Sequence, residues 1–197
     1  MRTLPLFLVV LLLSGCVTPT KAIKPLSEAD KGVRNIQSVS VSYNDLNKEA
    51  LVSADQKLYT KAQEKGANGE IKYKSLKSAL QSIAQERLEE RDNSGSLYAN
   101  VSIEIDNLKL ANAAAAILVG DSDQLAGTVK VYDPKTKELL TEFYVDIIEG
   151  AGGLLGLAIR GAGVRERLSL QFADHIGNEL GFPEVEKTVT KSTGTNN

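Results

Sequence analysis

Leu125-Ala126-Gly127-Thr128-Val129-Lys130-Val131-Tyr132 runs into Asp133-Pro134-Lys135-Thr136-Lys137, and the chain returns as Leu139 to Ile148. Thr141, Phe143, Val145 and Ile147 share one face of the return arm, with Glu142, Tyr144 and Asp146 between them. A period of two with β-branched and aromatic residues is the mark of a half-buried strand. Between the arms, Pro134 presets the backbone for a turn. The stretch therefore predicts an antiparallel hairpin.

Working outward, Val101-Ser102-Ile103-Glu104-Ile105-Asp106 alternates in the same way, as does Ile36 to Tyr43 from Val39 on. Between these strands the period changes. Leu76, Leu80, Ile83 and Leu88, with Ala79 and Ala84, make an amphipathic helix over Ser75 to Arg91, ended by Asn93-Ser94-Gly95. A short helix over Ala54 to Lys65 is also expected, though its pattern is weak. After the hairpin, Val164, Leu168, Phe172, Ile176 and Leu180 recur every four residues. Arg165, Glu166, Arg167, Gln171, Asp174 and Glu179 are expected on the outer face of that helix, with Gly181 as its C-terminal cap. The order predicts an α+β fold: an antiparallel or mixed sheet of about four strands with two amphipathic helices packed on one face. The other face would carry Ser38, Ser40, Ser42, Ser102, Glu104 and Asp106, and so be wet or covered by a partner.

The N-terminus carries an address. Arg2 precedes an apolar run from Leu4 to Leu13, which ends in Ser14-Gly15-Cys16. A basic start, a short apolar centre and small residues at the cut define a secretory signal peptide. The run is too short to span a bilayer, which takes roughly 20 apolar residues. Leu13-Ser14-Gly15-Cys16 resembles the lipobox of bacterial lipoproteins. The resemblance implies a diacylglyceryl group on the Cys16 thiol, cleavage before it and acylation, as by palmitate, of the new amino group. Val17, where an Asp would favour inner-membrane retention, resembles the outer-membrane class. The α+β layout is similar to small α/β domains of several envelope lipoproteins, and no catalytic residues come with that likeness.

The expected organisation is a signal peptide over 1–15, the lipidated cysteine and a tether over 16–35, a periplasmic domain over 36–181 and a disordered tail over 182–197. The tether reading rests on polar composition with Pro19 and Pro25, and the tail on its Lys, Thr, Ser and Gly content. With 23 basic and 25 acidic residues, the near-neutral balance points to no nucleic acid. Cys16 is the one cysteine, so no disulfide can form within the chain.

Chemistry is sparse. His175 lies at the edge of an apolar stripe, and one histidine with no cysteine partner makes a poor metal site. Glu104 and Asp106 would share a strand face, as two acids for acid–base work or as a solvated surface. The glycines from Gly150 to Gly163 lack the G-K-[ST] of a phosphate loop. Two apolar, small-residue segments flank the hairpin: Ala111 to Val119, and the stretch with Leu154, Leu155, Leu157, Ile159 and Arg160. They are either packed inward or a contact surface for a membrane, a partner or a second copy. The expectation is a non-enzymatic protein without cofactor or metal, anchored in the outer membrane through Cys16 and facing the periplasm. It would bind another envelope protein or self-assemble. The alternative is a ligand-binding or transport-accessory lipoprotein with a cleft between sheet and helices.

Overall fold

The computed structural model describes residues 20–32, 34–64, 72–91, 97–111, 122–150 and 163–183. The signal peptide, Cys16, residues 112–119, the five residues from Leu154 to Arg160 named above, and the tail from 184 on lie outside them. In chain order the elements are β1 (Thr20–Lys24), β2 (Arg34–Tyr43), α1 (Lys48–Glu64), α2 (Leu76–Glu90), β3 (Leu97–Lys109), β4 (Ser122–Tyr132), β5 (Leu139–Gly150) and α3 (Val164–Glu179). The fold is α+β. Its five strands form one mixed sheet in the order β1-β5-β4-β3-β2, with β2 parallel to β3 and the other pairs antiparallel.

The hairpin forms as its residues dictate. Val129 sits opposite Phe143 and Val131 opposite Thr141. At the turn, Asp133 Oδ1 accepts from the backbone N–H of Lys135 (2.8 Å) and Thr136 (3.0 Å), and Lys137 takes a left-handed φ of 62°. The first strand of the alternating pair on the far side begins with a bulge. Pairing shifts between Ile36 and Ser38, which puts both Ile36 and Val39 inward. That is why the alternation becomes regular only from Val39. A second bulge between Ile105 and Asn107 lets Ile105 and Leu108 both face the core and extends β3 three residues beyond Asp106. Gly127 is required beside it, because a Cβ there would lie 2.6 Å from the Glu104 carbonyl oxygen.

Ile103, Ile105, Leu125, Val129, Phe143 and Val145 on the sheet meet Leu76, Leu80 and Leu88 of α2 and Leu168, Phe172 and Ile176 of α3. Helix α2 starts in a capping box: Ser75 Oγ accepts from Ser78 N (3.1 Å) and Ser78 Oγ accepts from Ser75 N (3.2 Å). Helix α3 ends at Gly181, with φ 73°.

Three features differ from the sequence reading. The helix expected over Ala54 to Lys65 starts earlier, at Lys48, so that α1 spans 17 residues and joins α2 and α3 by burying Leu51 in the common core. Its pattern is weak because an inward position is taken by a charge, Asp55. Arg165, expected outside, is also buried. Finally, Thr20–Lys24 lies within the stretch read as tether, yet it pairs with β5. Thr141 Oγ1 donates to the Lys24 carbonyl (2.6 Å), and Lys24 Nζ donates to the Leu139 carbonyl. A strand of five residues supported by a neighbour needs little hydrophobic pattern of its own.

Candidate contact surface

The outer face of the sheet is a polar mesh. On β2, Ser38 Oγ donates to Asn100 Oδ1 (2.9 Å). Asp106 is held from two sides, by Asn44 Nδ2 (2.7 Å) and Thr128 Oγ1 (3.0 Å). Gln124 Nε2 donates to Asp146 Oδ1 (2.7 Å), and Lys130 Nζ lies 3.8 Å from Glu142 Oε1. Tyr144 stands among these groups; burial, then the charges of Asp106 and Asp146, push its phenol above the usual range and keep it neutral. Glu104 and Asp106 do share this face, but Asp106 is committed to orienting the β2–α1 turn, where Asn47 Nδ2 also donates to its carbonyl (3.2 Å). The arrangement is that of a surface with its hydrogen bonds already made.

Both sheet edges are blunted. The free side of β1 is short and carries Lys21 and Lys24. On β2, Gln85 of α2 accepts from the backbone N–H of Val39 (2.7 Å), beside an open groove of about 450 Å³ lined by Ser78, Gln81, Gln85, Glu86 and Glu89. At the corner of the core where Leu26, Ile36, Val131, Leu140 and Phe182 converge, the described residues leave a void of about 10 Å³, at the limit of one water. Among the described residues no group of three or more His, Cys, Asp or Glu could hold a metal ion, and no helix is long and apolar enough to cross a membrane. His175 is half-buried on α3, and burial pulls its imidazole below the usual value against Asp174 and Glu179.

Two buried charge clusters escape the sequence reading. Arg165 Nη2 and Nε donate to Asp55 Oδ1 (2.5 and 3.0 Å), and its other donors reach the carbonyls of Tyr73 (3.0 Å) and Asp55 (3.1 Å). Asp55 Oδ2 accepts from Leu76 N at the start of α2 (2.9 Å) and from the Tyr43 hydroxyl (3.2 Å). Burial, then the Asp55 charge, pushes the Tyr43 phenol up to about 12. At the other end Arg91, which closes α2, donates to Asn178 Oδ1 (2.7 Å) and to the carbonyls of Asp174 (3.0 Å), Phe182 (3.2 Å) and Pro183 (2.7 Å). These clusters join elements far apart in sequence and have no local signature beyond a charge beside an apolar stripe.

No family model matches the chain. No curated protein matches it either. Among solved structures it is similar to the PelC dodecamer of Paraburkholderia phytofirmans, at 8% identity and a TM-score of 0.38, over 77% of this chain and 93% of that one. A variant of PelC in another crystal form gives 10% and 0.42, over 83% and 98%. A candidate lipoprotein from Caulobacter crescentus gives 12% and 0.35, over 54% of this chain and 80% of that one. At these identities and TM-scores the likeness says nothing of what this chain binds or how it assembles.

Proposed function

We propose that this chain is a non-enzymatic envelope lipoprotein, acylated on Cys16 and held in the outer membrane with its α+β domain in the periplasm. It acts by binding another envelope protein or by self-association. The segment with Leu154, Leu155, Leu157, Ile159 and Arg160 is proposed as part of the contact surface.

The observation that carries this reading is the polar outer face of the sheet, a broad surface whose hydrogen bonds are already made around Asp106 and Gln124. Among the described residues, the packed corner at Leu26, Ile36, Val131, Leu140 and Phe182 leaves a void of about 10 Å³.

The test has two arms. Uptake of labelled palmitate by the wild type and its loss in Cys16→Ser would support the anchor; no uptake by the wild type would sink it. In-cell crosslinking with mass spectrometry on both forms then reads the assembly. A defined adduct, to itself or to one envelope protein, that depends on the anchored form supports the proposal, and its absence argues against an assembly role.

A further inference from the structure

Thr20, Val145, Gly127, Ile105 and Tyr43 lie opposite one another in a single row across the sheet. β2 ends at this row and Thr20 is the first described residue of β1, whereas β3, β4 and β5 continue beyond it. Leu108 pairs with Leu125 and Leu125 with Ile147. One row further, Lys109 pairs with Gln124 and Gln124 with Ile148; the Asp123–Glu149 and Ser122–Gly150 pairs of β4 and β5 follow beyond it. The result is a three-stranded extension. Because β1 runs antiparallel to β5, the N-terminal end of β1 points toward this extension.

Two lengths set how far the anchor can stand from the fold. Cys16 precedes Thr20 by four residues, which reach at most about 14 Å when fully extended. From Val145, β5 rises through five residues to Gly150, which is about 17 Å. The anchor therefore cannot reach past the tip of the extension. Had the whole stretch 16–35 been free, its span of about 65 Å would have let the domain hang clear of the membrane. Pairing of β1 removes that freedom.

We propose that the tip of the β3–β4–β5 extension, with Lys109 and Ile148 in one row two pairs short of its described end, rests on the bilayer that carries the acyl chains of Cys16. The inference depends on the acylation proposed above. The exposure of Ile148, 59% for an apolar side chain on an otherwise polar face, fits a tip lying at the headgroup layer. The hairpin turn at Asp133–Glu138 is at the opposite end of the sheet and faces away from the membrane.

The test uses the full acylated chain in vesicles of phosphatidylethanolamine and phosphatidylglycerol. Ile148→Cys, Lys109→Cys and Thr136→Cys are each labelled with a fluorophore; Cys16, acylated, does not react. Headgroup-labelled quencher lipids are expected to quench the labels at 148 and 109 and to leave the label at 136 unchanged. Twelve Gly and Ser residues inserted between Val17 and Thr18 are expected to abolish the quenching at 148 and 109. Equal fluorescence at all three positions in protein shown to carry palmitate would overturn this inference and leave the anchor standing. Absence of palmitate would overturn both.

Discussion

Asp133 shows how much one turn residue does. Its carboxylate takes two backbone N–H groups and lies 3.0 Å from Arg34 Nη1. The N–H of Thr136, then that of Lys135, then Arg34, hold its carboxyl down to about 2. The unfolded chain, with a carboxyl near 3.9, binds this proton more readily. The stabilisation is thus fully present above pH ~4 and is lost as the pH falls toward 2. Urea titrations from pH 5 to pH 2 should show this slope, and Asp133→Asn should flatten it. Gly177 is a second case. Alanine in place of a helical glycine ordinarily stabilises by about 1 kcal/mol. Here a Cβ would run into Arg91 Nη1 and displace a buried guanidinium from Asn178 and the carbonyls of Asp174, Phe182 and Pro183. Gly177→Ala is expected to lose about 2 kcal/mol or more in chemical denaturation, and a neutral or stabilising result would refute this close approach of Arg91 to Gly177.

Among the elements, the pairing of α2 with α3 is the most demanding. Both helices start at the end where β2 finishes, as Leu76 N and Arg165 both meet Asp55, and both finish at Arg91. The pair is parallel, so like ends of two helix dipoles lie together. A carboxylate stands at the two positive ends and a guanidinium at the two negative ends. Asp55 offsets Arg165 as well, which would otherwise be a buried cation near a helix N-terminus. Removing one partner of a buried pair costs about 3–5 kcal/mol, whereas replacing both by apolar groups is often tolerated. Arg165→Met is therefore expected to destabilise strongly. Asp55→Leu with Arg165→Met together should cost less than the sum of the single changes, and additive costs in thermal melts would mean the pair is not coupled.

For the molecule as a whole, the strand nearest the N-terminus changes what the chain is. Were residues 17–24 only a tether, deleting them from the non-acylated protein would leave its stability unchanged. With β1 in the sheet, the deletion bares the β5 edge and strips Thr141 and Leu139 of partners on Lys24. The truncated chain is expected to melt lower and to aggregate on heating, which light scattering during a thermal ramp would report.

What the residues alone determined is the local part. Alternation specified β2 to β5, four-residue spacing specified α3, and Gly181 and the Asp133–Lys137 turn punctuated them, because periodicity and backbone preference act over a few neighbours. The fold class followed from their order. The tertiary structure alone decided the mixed sheet order, the membership of α1 and β1, and the two buried charge clusters. Each depends on groups that meet only after folding. Asp55 and Arg165 are separated by 110 positions, and each reads as a surface charge until the other is placed beside it. In the same way, Thr20–Lys24 becomes a strand because β5 offers unpaired backbone groups, and only then does the distance from Cys16 to the fold become short.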